Sequence, residues 1–162
     1  EKGLSEKDIS LNFTQRLIEV SKNYSDIEVI STRNSDEFID LKQRVEIANS
    51  QKANLFISIH MDAHNNASKQ GMSLMVDAFS KHKSESLALA ETIISQLQSD
   101  ASMNMRADVT DFDSYVLQNV DCPALMLNIG FLSNSADADF INANDNIDAL
   151  CKELIEALLA KE

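Results

Sequence analysis

Glycine and proline are almost missing: Gly3, Gly71, Gly130 and Pro123 are the only ones in 162 residues. No Pro/Gly/Ser linker, internal repeat or low-complexity block interrupts the chain, so no domain boundary is visible and residues 1–162 read as one domain. The length agrees, since domains run to roughly 100–200 residues and bury about 70% of their unfolded surface at this size. Cysteine is equally scarce. Cys122 and Cys151 cannot build a disulfide framework or a Cys-rich zinc site, and their apolar surroundings make them buried thiols. Long apolar runs are lacking too; none approaches the ~20 residues that span a bilayer. Positive charge is in short supply, with 14 basic against 26 acidic residues and a net charge of −12. That balance excludes an electrostatic footprint for nucleic acid or for insertion at an anionic membrane, and serves solubility instead. The first residue is Glu1, and no basic segment followed by an apolar one marks a signal peptide. A processed chain, or a piece of a longer one, is expected. What is present is ordinary for a folded protein: 44% apolar and 25% charged residues.

The apolar pattern alternates between two periods. Ser5 and Asp8 form a capping pattern, and Ile9, Phe13, Leu17 and Val20 recur with helical spacing. Ile27–Ile30 is a short β-rich run. Asp40 and Gln43 repeat the capping pattern ahead of Leu41, Val45 and Ala48. Leu55–Ile59 is nearly continuous apolar sequence, as in a strand buried on both faces, and it ends at His60. A polar loop over 61–71 leads to a strand at Met72–Val76 and a helix marked by Leu87, Ala90, Ile94 and Leu97. Tyr115–Leu117 reads as a short strand, and Ala124–Leu127 as a buried one ending at Asn128. Ile147, Leu150, Cys151, Leu154 and Leu158 mark a final helix. Such alternation predicts an α/β fold with a mostly parallel sheet flanked by helices. Ligands of such sheets gather beyond the carboxyl ends of strands, which singles out His60 and Asn128.

Few residues can carry chemistry. His60 at a strand end is placed like a metal ligand or base, or like a histidine bonded to backbone. His64 follows four residues later, a spacing that pairs imidazoles on a helix, but the stretch reads as loop. Asp62 between them is a further candidate ligand. His82 sits in Lys81-His82-Lys83, a solvated patch. Glu6 lies in the first turn of the first helix, where the macrodipole favours a carboxylate.

Four stretches taken together resemble one family. They are Leu4–Asp8; Ser31-Thr32-Arg33 with Leu41–Asn49; Leu55–His60; and Tyr115–Gln118 with Cys122–Asn134. Their order and content are similar to the zinc-dependent N-acetylmuramoyl-L-alanine amidases of the amidase-3 type, over nearly the whole chain. The resemblance implies a mixed, mostly parallel sheet flanked by helices. It implies hydrolysis of the amide between N-acetylmuramic acid and the L-alanine of the peptidoglycan stem. A zinc held by His, Glu and His would activate water, and a further glutamate would move its proton. Carried over by position, Glu6 and His60 match two zinc ligands. The first strand and the glycine-rich turn bearing the first histidine have no counterpart in residues 1–162. The general-base position is Asn128, whose amide is no base near neutral pH; loss of a general base lowers rates by about 10²–10⁴. Proximity makes His64 and Asp62 candidate replacement ligands. Arg106 falls where these amidases carry a basic residue near the substrate groove. The short 61–71 loop leaves little room for an autoinhibitory insert.

Three functions follow as expectations. One is a catalytically inactive or weak amidase-like domain that recognises peptidoglycan or stem peptides and binds zinc weakly or not at all. Another is an active zinc amidase whose remaining ligand lies upstream of this chain. The last is an interaction domain without ligand binding. The implied location is extracytoplasmic, in the periplasm or cell envelope.

Overall fold

The structure, a computed structural model, describes residues 5–99 and 104–160. Four strands form one sheet: β1 (Phe56–Asp62), β2 (Met72–Asp77), β3 (Met105–Phe112) and β4 (Ala124–Phe131). Their order is β1-β4-β2-β3. The β1–β4 and β2–β3 pairs are parallel and the β2–β4 pair is antiparallel, so the sheet is mixed and mostly parallel, as expected. Helices α1 (Glu6–Ser21), α2 (Leu41–Ser50), α3 (Lys83–Leu97), α4 (Tyr115–Asn119), α5 (Ser135–Asn142) and α6 (Asn144–Leu159) surround it.

Strand periodicity divides the core in two. Leu125, Leu127 and Ile129 of β4, with Met72, Leu74 and Val76 of β2, share a cluster with Phe13 of α1, Ile93 of α3 and Leu154 of α6. Ala124 and Met126 of β4 face the other way, onto Val45 and Ala48 of α2 and Val116 and Leu117 of α4. All eight residues of β4 are buried, which accounts for the apolar run Ala124–Leu127 and makes Asn128 a buried polar side chain. Cys151 lies fully buried, and burial pushes its thiol up to about 12.

Capping decides where the helices over the site begin. The Ser5 side chain accepts from the Asp8 N–H and starts α1 immediately before Glu6. Asp40 and Gln43 close a reciprocal capping box on α2. A bidentate Arg16–Asp148 pair joins α1 to α6.

Several expected elements differ. Tyr115–Leu117 is the start of helix α4, not a strand, because the Ser114 hydroxyl accepts from the Leu117 N–H and a short apolar run suits either form. Ile27–Ile30 forms no strand: Ile27 and Val29 pack on the core, but the run has no ladder partner. β1 continues past His60 to Asp62, and β4 past Asn128 to Phe131. β3 and α5 were not legible as elements. β3 carries Arg106, Asp108 and Asp111 within its run, which masks its period.

Candidate functional site

The sheet register assembles the site. His60 pairs with Asn128 across β1 and β4, and Asn128 pairs with Ser73 across β4 and β2. Directly paired residues point to one face, so these three side chains form a row on the face covered by α2 and α4. Asp62 follows a register irregularity after His60, and its carboxylate meets the row through Asn128.

Glu6 reaches the row from the opposite layer, around the outer edge of β1. Its Oε1 lies 2.8 Å from His60 Nδ1 and accepts a 3.4 Å hydrogen bond from the Met61 N–H. The Ser58 hydroxyl stands 2.9 Å from His60 Nε2. These partners assign the tautomer: Nδ1–H donates to the carboxylate, and Nε2 accepts from Ser58. The imidazole is thus held at both nitrogens yet remains 40% exposed, open to a ligand from solvent.

Asn128 is 1% exposed and fully engaged. Its Nδ2 donates to Asp62 Oδ2 at 2.7 Å, and its Oδ1 accepts from the N–H groups of Asp62 and Gly130 at 3.3 and 3.2 Å. The amide therefore acts as a strut that fixes the Asp62 carboxylate. Beside it, Ser73 Oγ is buried with no hydrogen-bond partner among the described residues.

The other candidates are placed less centrally. His64 is exposed; its N–H donates to Ser133 Oγ and its Nδ1 accepts from the Asn66 N–H, so that nitrogen is occupied locally. Arg106 lies at the start of β3, whose neighbour Met105 pairs with Met72, next to Ser73. It shares the row's end of the sheet but stands three strand spacings from His60, roughly 14 Å. His82 precedes α3 and makes no side-chain cap. Among the described residues, no group of three His, Cys, Asp or Glu side chains is arranged to hold a metal.

Asp137 is the residue that sequence reasoning missed. Its carboxylate is buried, and its Oδ2 accepts from both Gly71 N–H and Phe131 N–H at 2.9 Å. It clamps the end of β4 to the loop before β2, behind the His60–Asn128–Ser73 row. Gly130 is required there: its φ is +137°, and a Cβ would stand 2.9 Å from Asp137 Oδ2. The available signal was Asn134, three residues earlier, whose side chain accepts from the Asp137 N–H and caps α5.

This geometry can be set beside known proteins. Residues 1–160 match the Amidase_3 family, N-acetylmuramoyl-L-alanine amidase. The chain belongs to that family. It is 33% identical over 144 residues to the uncharacterized protein YqiI of Bacillus subtilis, covering 88% of this chain and 68% of YqiI. It is 30% identical to the N-acetylmuramoyl-L-alanine amidase LytC of the same organism, over 84% of this chain but only 27% of LytC. Among solved structures it is similar to an N-acetylmuramoyl-L-alanine amidase from Clostridium difficile 630, with a TM-score of 0.88 and 26% identity. That match covers 98% of this chain and 87% of the other. The CwlD amidase of Clostridioides difficile, solved in complex with the GerS lipoprotein, gives a TM-score of 0.86 at 26% identity, covering 98% of this chain and 86% of CwlD. The amidase-3 fold and family are thereby shown for this chain.

Proposed function

We propose that this chain is a cell-wall recognition domain of the amidase-3 family. It binds peptidoglycan or its stem peptides outside the inner membrane, and it cleaves the N-acetylmuramic acid–L-alanine amide weakly or not at all. One observation carries the reading: the residue at the family's general-base position, Asn128, is a buried amide with both ends tied to neighbours. An amide neither accepts a proton from water at neutral pH nor passes one to a leaving amine. The exposed Glu6–His60 pair beside it still offers polar groups to an incoming peptide.

Zinc is the cofactor the family leads one to expect. Glu6 and His60 are donor types that zinc accepts, and they converge within 2.8 Å. Catalytic zinc sites use three protein ligands, and no third donor joins the pair among the described residues. The donor set is two-thirds of such a cage, so weak zinc binding is proposed and no chemical step is assigned to the metal. The names of relatives agree with a wall location: LytC is an N-acetylmuramoyl-L-alanine amidase and LytH a probable cell wall amidase. No helix among the described residues is long and apolar enough to cross a membrane.

Co-sedimentation with insoluble peptidoglycan tests the binding half of this reading. The purified chain is expected in the pellet, and soluble stem peptides are expected to release it. A chain that stays in the supernatant contradicts wall recognition and leaves the interaction-domain reading in its place.

A further inference from the structure

The stretch from Asp62 to residue 70 is exposed throughout, yet it is firmly held. Between Asp62 and Gly71 the chain is tied at four points to the segment that follows β4. The Leu132 N–H donates to Asp62 O at 2.7 Å, and the His64 N–H to Ser133 Oγ at 3.0 Å. Asn134 Nδ2 donates to Ala67 O at 2.8 Å, and the Gly71 N–H to Asp137 Oδ2 at 2.9 Å. A segment pinned in this way holds its side chains in place before a ligand arrives, so less ordering entropy opposes binding.

Two opposite charges on this stretch lack a counter-ion. Asp62 Oδ2 accepts from Asn128 Nδ2 at 2.7 Å, which fixes the carboxylate, while Oδ1 accepts from no group among the described residues. Asn128 is 1% exposed, so a core side chain is committed to aiming a surface carboxylate. Lys69 is the opposite charge. Its Nζ lies 5.2 Å from the centroid of the Phe131 ring, a cation–π placement that steadies the ammonium. No carboxylate pairs with it among the described residues, although six other lysines have one. Phe131 is also the strand partner of Asp62, so the two charges flank one residue. They form no ion pair with each other, which leaves both open to a third party.

We propose that Asp62 and Lys69 form a subsite for a zwitterion, with its ammonium on Asp62 and its carboxylate on Lys69. The inference rests on the peptidoglycan-recognition reading and names the part of the stem peptide that is recognised. Stem peptides carry a diamino acid, and its free end is of two kinds. One is a lone ammonium, as in lysine. The other holds an ammonium and a carboxylate on the same carbon, as in diaminopimelate. The second kind satisfies both charges with charge-assisted hydrogen bonds. A lone ammonium satisfies Asp62 and leaves Lys69 unmatched. A polyanion meets Lys69 but is repelled by Asp62 and by the net charge of −12. The amide at position 128 thereby serves recognition, since it aims the Asp62 carboxylate without competing for the ammonium.

Isothermal titration calorimetry with three soluble stem tripeptides tests this. The peptides differ only at the far end of the diamino acid: ammonium with carboxylate, ammonium with carboxamide, or ammonium alone. The first is expected to bind about 10-fold or more tighter than the other two. Lys69→Gln, at an exposed position, is expected to weaken the first to the level of the others and to leave those unchanged. Asp62→Asn is expected to weaken all three by about 10-fold or more. Equal affinities for the three peptides, discrimination that survives Lys69→Gln, or no binding of the first peptide each overturns the proposal. A chain that pellets with the wall but does not discriminate removes this subsite and leaves the recognition reading standing, so the two failures are distinct.

Discussion

Replacing Asn128 with aspartate is expected to destabilise the fold by about 2–4 kcal/mol at pH 7, although the side chain barely changes shape. Asn128 Nδ2 donates to Asp62 Oδ2 at 2.7 Å, so the variant sets two carboxylates at hydrogen-bond distance. A hydrogen bond to a charged group, worth about 1.5–3 kcal/mol, is lost, and a carboxylate at buried position 128 is set against the exposed Asp62 carboxylate. The pair then shares a proton, and one carboxyl is raised above its unfolded value. A raised carboxyl binds protons more tightly in the folded state, so the variant gains stability as pH falls and loses it as pH rises. Exchanging the ends of the bond, Asp62→Asn with Asn128→Asp, restores one carboxylate and one amide. Urea midpoints of the four proteins at pH 7 form the cycle. The double variant is expected within about 1 kcal/mol of the parent. An Asn128→Asp protein as stable as the parent would show that the 62–128 strut does not exist.

Removing the Asp137 carboxylate is expected to have a comparable effect with a different cause. Asp137→Ala strands the N–H groups of Gly71 and Phe131, both of which donate to Oδ2 at 2.9 Å. Each orphaned buried donor costs about 1–3 kcal/mol, so a loss of about 3–5 kcal/mol is expected. In a protein of this length that lowers the Tm by about 6–20 °C. Asp137→Asn keeps one acceptor oxygen and is expected to lose less. The clamp also shapes the site, because Phe131 and Gly130 follow Asn128 on β4 and Gly71 precedes Ser73 on β2. Thermal unfolding followed by circular dichroism is the measurement. A change in Tm below about 2 °C for Asp137→Ala would mean that water or another group satisfies those donors.

How much of this was legible follows from the range of each interaction. Capping is local, and Asp40 with Gln43 stood in the sequence as the box later found on α2. The strand at Leu55–Ile59 was legible from its nearly continuous apolar run, but the expected burial on both faces is not met: these five residues are half-buried, because β1 is an edge strand with one neighbour among the described residues. Tyr115–Leu117 misled because three apolar residues carry no period, and Ser114 decides the outcome through one hydrogen bond. Ile27–Ile30 misled in another way: its composition suits a strand, but a strand needs a neighbour, and pairing is not encoded locally. The site divides along the same line. Spacing gave no reason to join Glu6 to His60, 54 residues apart; resemblance to the amidases named both, and the structure places them 2.8 Å apart. The bond between Asn128 and Asp62 was invisible, because it depends on the register of two strands distant in sequence. Asp137 was invisible for a similar reason, since its partners, Gly71 and Phe131, come from separate segments.

Release of dye from covalently labelled peptidoglycan, with zinc supplied in the buffer, tests most directly whether the amide at 128 has silenced this fold. On the proposed reading, in which Asn128 stands at the general-base position, the expected result is release at least about 100-fold below that of an active amidase of the same family. Turnover matching that amidase would contradict it, and would mean that some group other than residue 128 moves the proton.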